Sequence, residues 1–125
     1  MKKITIMVPC YNEEKSLPLL HERLVAIMDS MPAYEWEVLL VNDGSRDATM
    51  VVARELRRRD SRVCYIDLSR NFGKERAMLA GFDHATGDCM VIMDADLQDS
   101  PDEIPELYRM ITVDGYDLVS GYKQK

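Results

Sequence analysis

The stretch CMVIMDAD, residues 89–96, decides the fold. It begins with a short apolar run, typical of a strand, and it ends on two aspartates. Four other segments of the chain combine an apolar run with polar or special residues at its end. We therefore predict five strands, at residues 3–8, 36–42, 62–68, 89–94 and 116–121.

Helices are predicted between these strands. Apolar residues recur at helical spacing over residues 16–31, and Ser45 is of a type that caps helix N-termini, which predicts a second helix ending near residue 60. Two more helices are predicted, at about 74–85 and from Ser100 and Pro101 onward. This alternation predicts an α/β protein: a Rossmann-like parallel sheet of alternating βα units with helices on both faces.

The composition favours one soluble globular domain over residues 1–125. The chain is 46% apolar and its net charge is −6, which argues against a general nucleic-acid binder. Its apolar runs are far shorter than the roughly 20 residues of a membrane span, and Pro9 interrupts the N-terminus before a signal peptide could form. Three cysteines without metal spacing, expected to be small buried residues, indicate a reduced, cytosolic setting; the oligomeric state is not readable.

The ends of the predicted strands form the candidate site. In parallel α/β sheets ligands bind beyond the carboxyl ends of the strands, so polar residues there predict a ligand-binding rim. These segments are 9–14, 42–45, 69–75, 94–99 and 121–123.

Asp94 and Asp96 are the chemical centre of that rim. Two carboxylates at positions i and i+2, just as a strand ends, can share one divalent cation such as Mg²⁺ or Mn²⁺. Such a pair can also serve as loop or capping residues, and both interpretations are open at this point.

Three other rim positions also have two interpretations. Asp43 either forms a turn and helix cap or accepts hydrogen bonds from a base, and the two roles are compatible. Lys74, after Gly73 at a predicted helix N-terminus that favours phosphate, is either a phosphate ligand or simply exposed. Tyr11 either stacks on a ring or fills the core.

Five motifs in order, VPCYNEE, VNDGS, LSRNFGKE, MDADLQDSP and YDLVSG, resemble those of family 2 glycosyltransferases with the GT-A fold. The closest subgroup is the polyprenyl-phosphate glycosyltransferases. The resemblance extends from Ile4 to Lys123, nearly the whole chain.

The resemblance implies a role for each motif. It places Pro9, Tyr11 and Glu13 around the nucleoside and Asp43 on the base, with uracil favoured. Asp94 and Asp96 would hold the metal, and Gln98 would lie near the sugar. In the phosphate or acceptor region it places Asn71, Gly73, Lys74 and Lys123, although the subgroup often has arginine at the last of these.

The implied reaction is metal-dependent transfer of a sugar from a nucleotide-diphosphate sugar to a polyprenyl phosphate, with inversion. An acceptor that is already anionic needs no strong general base. Because the resemblance implies further acceptor and membrane segments, we expect residues 1–125 to be the nucleotide-sugar-binding portion of a longer enzyme at the cytoplasmic face of a membrane. We expect this portion to bind the donor without full turnover.

Two alternatives come from other functional classes. A receiver-type signalling domain would show the same alternation, but Pro9, Cys10 and Tyr11 stand where it needs acidic residues. The second alternative is a non-catalytic nucleotide-binding remnant. No Gly-x-Gly-x-x-Gly or P-loop signature is present, which argues against dinucleotide-dependent oxidoreductases and P-loop enzymes.

Overall fold

The structure is a computed structural model that describes residues 3–68, 70–93 and 118–120, with the backbone alone at 74, 89 and 118–120. Its strands are β1 (Lys3–Cys10), β2 (Glu35–Asn42), β3 (Val63–Asp67), β4 (Cys89–Ile92) and β5 (Leu118–Ser120). Its helices are α1 (Ser16–Ser30), α2 (Thr49–Arg59) and α3 (Lys74–His84). All five predicted strands and the first three predicted helices are confirmed within a few residues.

The five strands form one parallel sheet in the order β3-β2-β1-β4-β5. The chain moves outward from β1 to β3 and then returns to the other side of β1 to form β4. This reversal makes the β1–β4 boundary the topological switch point, and in such sheets the crevice beyond it is where ligands bind.

Helices cover both faces of the sheet, as the sequence predicts. The residues of β1 alternate between faces: Ile6 and Val8 pack with α1 and α2, whereas Met7 packs with Ala77 of α3. Their partners in β2 alternate in the same way, with Val38 beside Ile6. Because both faces are covered, the central strands are apolar along nearly their whole length.

The predicted N-cap at Ser45 is wrong. Helix α2 begins at Thr49, with Ala48 at the capping position and no side-chain capping bond. The hydroxyl of Ser45 accepts a hydrogen bond from the Asn12 amide instead, at 2.9 Å. Residues 43–48 therefore form a longer connection at the carboxyl edge of the sheet than the sequence predicts.

Several predictions lie outside the described residues. They are the helix beginning at Ser100 and Pro101 and the rim segments 94–99 and 121–123. Within the described ranges, no helix has the length and apolar character needed to cross a bilayer.

Candidate functional site at the carboxyl edge of the sheet

The loops after β1 and β2 are joined through Asn12. Its amide donates to the hydroxyl of Ser45 at 2.9 Å, and its side-chain oxygen accepts from the Arg46 amide at 2.8 Å. Asn12 has φ +55°, a left-handed conformation that asparagine tolerates better than most residues. Asn12 thus fixes the turn that follows Tyr11 through both its backbone amide and its side chain.

A second set of bonds joins the same loops closer to the core. The Thr49 hydroxyl, fully buried, accepts from the Glu13 amide at 2.7 Å and itself donates to Asp47. Asp47 also accepts from the amides of Thr49 and Glu14. Burial acts to raise the pKa of Asp47, but these hydrogen bonds outweigh it and lower the pKa. The bonds favour an ionised carboxylate that ties the start of α1 to the start of α2.

Asp43 lies at the centre of the rim and is only 5% exposed. Its amide donates to the Cys10 carbonyl at 2.8 Å, which ties the end of β2 to the end of β1. Its carboxylate accepts from the Phe72 amide at 2.8 Å and from the Gly73 amide at 3.1 Å. Asp43 therefore does not cap α2; it joins the ends of β1 and β2 to residues 70–73, which we call the 70–73 loop.

The 70–73 loop also touches Gly44 directly. A Cβ added at Gly44 would lie 2.3 Å from the Asn71 nitrogen and 2.4 Å from the Arg70 carbonyl carbon. Within the loop, the Arg70 guanidinium lies 4.9 Å from the centre of the Phe72 ring. Glycine at position 44 lets the two backbones meet.

The end of β3 is joined to β2 in turn. The Asn42 side chain donates to Asp67 at 2.9 Å, and the Asn42 carbonyl accepts from the Leu68 amide at 3.0 Å. The rim loops after β1, β2 and β3 are thus connected by hydrogen bonds across the whole described edge.

Two residues at the carboxyl end of β1, Cys10 and the following Tyr11, answer two questions that the sequence left open. Tyr11 is 42% exposed, so it does not fill the core and its ring is accessible at the rim. Cys10 is buried, as predicted, and burial, with a smaller contribution from Glu13, raises the pKa of its thiol above the ordinary value. Cys10 therefore stays protonated and does not act as a nucleophile at neutral pH.

The structure brings together five of the predicted site residues: Pro9, Tyr11, Glu13, Asp43 and Gly73 all lie at the carboxyl edge. Asn71 joins them, with its side chain accepting from the Gly73 amide at 3.0 Å. Lys74 begins α3, where only its backbone is described.

The predicted metal and sugar residues, Asp94, Asp96 and Gln98, lie outside the described residues, as does Lys123. Within the described part of the chain, no group of three or more histidine, cysteine or acidic residues could hold a metal ion.

The opposite edge of the sheet holds a cavity of about 690 Å³, whose lining includes Lys3, Trp36 and Arg62. It is open and has residues of both charges. Its size does not make it the candidate site, since it lies at the amino ends of the strands, away from the switch-point crevice.

Sequence analysis placed Asn12 and Ser45 in the predicted rim segments without their bonding roles, and it did not single out Asp47 and Thr49, although all four residues hold the rim together. A signal was present, because all four are of types that bond to backbone groups in turns and caps. What sequence could not supply is the partner, which lies more than 30 positions away for the Asn12–Ser45 and Glu13–Thr49 bonds.

Comparison with known proteins agrees with this geometry. Residues 5–123 match the family model described as "Glycosyl transferase family 2". The chain is 39% identical, over 99% of its length, to an undecaprenyl-phosphate 4-deoxy-4-formamido-L-arabinose transferase of Salmonella paratyphi A. This chain covers 38% of that relative's length. A relative of the same name from Salmonella choleraesuis is 38% identical over 99% of this chain, which again covers 38% of the relative's length.

Solved structures give the same result. S. aureus TarS in complex with UDP-GlcNAc superposes with a TM-score of 0.71 at 25% identity, over 88% of this chain and 31% of TarS. A mannosyltransferase from Pyrobaculum calidifontis, in complex with GDP-Man and Mn²⁺, superposes with a TM-score of 0.59 at 30% identity, over 76% of this chain and 28% of the other.

The family model matches nearly the whole chain, which rules out the receiver-type alternative. The superposed glycosyltransferase structures confirm the GT-A fold. The loops that the structure joins at the carboxyl edge are the ones that contain the first three of the five motifs. The chain belongs to glycosyl transferase family 2.

Proposed function

We propose that residues 1–125 are the nucleotide-sugar-binding portion of a glycosyltransferase that transfers a sugar from a nucleotide diphosphate to a polyprenyl phosphate. The observation that carries this proposal is the set of joined polar loops at the carboxyl edge, beside the β1–β4 switch point. The name of relatives 39% identical to the chain supports the acceptor class. Because the chain spans 38% of those relatives, the complete reaction belongs to a longer protein.

On the donor side, Pro9, Tyr11 and Glu13 line the nucleoside pocket and Asp43 lies beside the base. The exposed ring of Tyr11 at the end of β1 supports this, because it offers a stacking surface at the rim. We propose uridine ahead of guanosine. A TarS structure contains UDP-GlcNAc and the mannosyltransferase structure contains GDP-Man, so both bases occur among similar folds.

Asp94 and Asp96 would hold a divalent cation, Mg²⁺ or Mn²⁺, because their oxygen donors suit either ion. The described part of β4 supports the placement: the Met93 amide donates to the Met7 carbonyl at 3.0 Å, one residue before Asp94 in the sequence. When bound, the cation offsets the negative charge that develops on the departing diphosphate. Gln98 lies near the sugar.

The remaining negative charge is met by polar and cationic groups of the protein. Asn71, Gly73 and Lys74 meet the donor or acceptor phosphate, with Lys123 as a further positive charge. An oxygen of the acceptor phosphate attacks C1 of the sugar, the C1–O bond breaks, and the diphosphate leaves with the electron pair. Because the acceptor is anionic near neutral pH, no strong general base is required, and in-line attack inverts C1.

In the cell, this portion works at the cytoplasmic face of a membrane, where a polyprenyl phosphate is embedded.

Calorimetric titration of the chain with UDP and with GDP, with and without Mn²⁺, tests the proposal. We expect tighter binding of one diphosphate with Mn²⁺, and loss of that gain in Asp96→Ala. Asp83→Ala is the matched control, since Asp83 is exposed near the far end of α3. A diphosphate affinity that changes neither with Mn²⁺ nor in Asp96→Ala would contradict the proposed site. If the longer protein bound the nucleotide but transferred no sugar, the result would favour the non-catalytic remnant.

A further inference from the structure

We infer that Arg57 closes the open edge of β3 and so keeps a second copy of the chain from pairing with that strand. Strand β3 stands at one end of the sheet order, and it pairs with β2 on one side. Within the described residues, no strand pairs with its other side. An edge strand presents a row of amide and carbonyl groups that another chain can use for pairing.

The hydrogen bonds between β2 and β3 show which groups of β3 point outward. The Arg62 carbonyl accepts from the Val38 amide at 2.9 Å, and the Leu68 amide donates to the Asn42 carbonyl at 3.0 Å. In a parallel pair, alternate residues of a strand turn their amide and carbonyl groups to the same neighbour. The odd-numbered residues of β3 therefore direct theirs to the open edge: Val63, Tyr65 and Asp67.

The sequence of β3 favours such pairing. Residues 63–66 are apolar or aromatic, and none of residues 63–67 is proline or lysine, which commonly protect an edge. Tyr65 is exposed, and Cys64 and Ile66 are only partly buried on the face that bears α3. A second copy could therefore extend the sheet and cover apolar surface at the same time.

Arg57, in the last turn of α2, covers one end of this edge. Its Nη1 donates to the Val63 carbonyl at 3.0 Å and to the Ser61 carbonyl at 2.7 Å. The Val63 amide in turn donates to the Asp60 carbonyl at 3.0 Å. Both outward groups of Val63 are thus bonded within the chain, and Nη1 lies at the distance from the carbonyl at which an incoming strand would place its own amide nitrogen.

These contacts matter because two copies of one edge strand pair antiparallel about a two-fold axis. With the axis at Tyr65, the middle of the strand, Val63 of each copy lies opposite Asp67 of the other. The outer hydrogen bonds of the pairing then need the Val63 groups that the chain's own contacts already hold. Charge opposes the pairing as well, since Arg54 lies along the same edge as Arg57, with its Nη2 3.9 Å from the Asp67 carboxylate.

Self-association of Arg57→Ala, measured by sedimentation equilibrium over a range of concentrations, tests the inference. We expect Arg57→Ala to associate at concentrations about tenfold lower than the unsubstituted chain, because it frees the Val63 carbonyl and removes a charge. Arg58→Ala is the matched control. It removes the same charge from the same turn, but the Arg58 side chain bonds to Glu55 and is 76% exposed, so association should not change.

A second substitution tests whether β3 is the surface used. In Arg57→Ala combined with Tyr65→Pro, proline removes an outward amide that makes no bond to β2, so the edge loses a donor while the sheet keeps its ladder. We expect this double variant to associate no more than the unsubstituted chain. Hydrogen exchange of Arg57→Ala checks the same surface without a further substitution, because the amides of Tyr65 and Asp67 should exchange more slowly as the concentration rises.

Four results would overturn the inference. Equal association of Arg57→Ala and Arg58→Ala would assign the effect to net charge rather than to the cover on β3. An Arg57→Ala chain that associates no more than the unsubstituted chain would show that the edge needs no cover. Association without protection of the Tyr65 and Asp67 amides would place the interface elsewhere. Loss of the folded state in Arg57→Ala, seen by circular dichroism, would make the contact with Val63 a folding contact only. No nucleotide enters these measurements, so they test the inference independently of the proposed function.

Discussion

Asn12 shows how one side chain can meet two demands at the rim. It adopts φ +55°, and its side-chain oxygen accepts from the Arg46 amide. A positive φ costs most non-glycine residues roughly 1–2 kcal/mol, while asparagine and glycine tolerate it better. Both the backbone conformation and the hydrogen bond therefore contribute to stability at this position.

Three substitutions of Asn12 separate those contributions. Asn12→Ala loses both and should lower the free energy of unfolding by about 2 kcal/mol. Asn12→Gly loses only the hydrogen bond and should cost about 1 kcal/mol. Asn12→Asp keeps the acceptor and should stay close to the unsubstituted chain. Urea denaturation measures all three, and equal losses in the alanine and glycine variants would contradict the conformational argument.

Asp60 is a partly buried carboxylate with several partners. It accepts from the Arg62 side chain at 2.9 Å and is within 2.9 Å of the His21 ring. Burial acts to raise the pKa of Asp60, but the hydrogen bonds from Arg62 and His21 outweigh it and hold the pKa far below the ordinary value. His21 thus joins α1 to the end of α2 through Asp60.

This lowered pKa predicts a pH-dependent stability. The native state binds a proton at Asp60 less readily than the unfolded state, so the contribution is present above the unfolded pKa of about 3.9 and is lost as the pH falls toward the lower native pKa. Asp60→Asn should lower the free energy of unfolding by about 2 kcal/mol at pH 7, and by progressively less as the pH falls below about 3.9 toward the native pKa.

Asp29→Asn is the matched control, because Asp29 also pairs with Arg62, at 3.2 Å, but is 65% exposed. An exposed pair should contribute at most about 0.5 kcal/mol. Denaturation series at several pH values check both variants. A loss in Asp29→Asn equal to that in Asp60→Asn would show that Arg62, rather than the burial of Asp60, sets the effect.

At the scale of elements, α3 approaches β1 through a glycine. A Cβ at Gly81 would lie 1.8 Å from Sδ of Met7, and Met7 is fully buried. Alanine is the better helix former, by up to about 1 kcal/mol, yet here it would overpack the core by about 1–3 kcal/mol.

We therefore expect Gly81→Ala to destabilise the protein despite its helix propensity. Met7→Ala alone should cost about 2–4 kcal/mol through the cavity it leaves. Since the added methyl group would occupy part of that cavity, the double variant should cost less than the sum of the two. Urea denaturation of the three variants gives the coupling, and simple additivity would contradict the close approach.

The elements themselves were readable from sequence, while their junctions were not. The apolar runs of β2 and β4 and the helical spacing of α1 are local patterns, so their positions were predicted correctly. Ser45, Asp47 and Thr49 are all good N-cap residues, yet all three bond to the loop after β1, and Ala48 stands at the capping position of α2. These bonds are tertiary contacts, as is the pairing of Asp43 with the 70–73 loop.

At the scale of the whole molecule, the two edges of the sheet offer different sites. The carboxyl edge has joined polar loops at the switch point, whereas the amino edge has the cavity of about 690 Å³ lined in part by Trp36 and Arg62. Cavity size alone would favour the amino edge. The topology favours the carboxyl edge, because the strand order reverses between β1 and β4, and ligands bind beyond the carboxyl ends of the strands at such a reversal.

Hydrogen exchange distinguishes the edges in one experiment. With Mn²⁺ and UDP, or GDP if that binds more tightly, we expect slower exchange in residues 11–14, 43–49 and 70–75 because the ligand would bridge the rim loops. Residues 28–37 and 61–64, around the amino-edge cavity, should exchange at the same rate with and without ligand. Protection confined to the amino edge would place the nucleotide there. It would also remove the physical basis for assigning Tyr11, Asp43 and Gly73 to one site, since those residues share only the opposite edge.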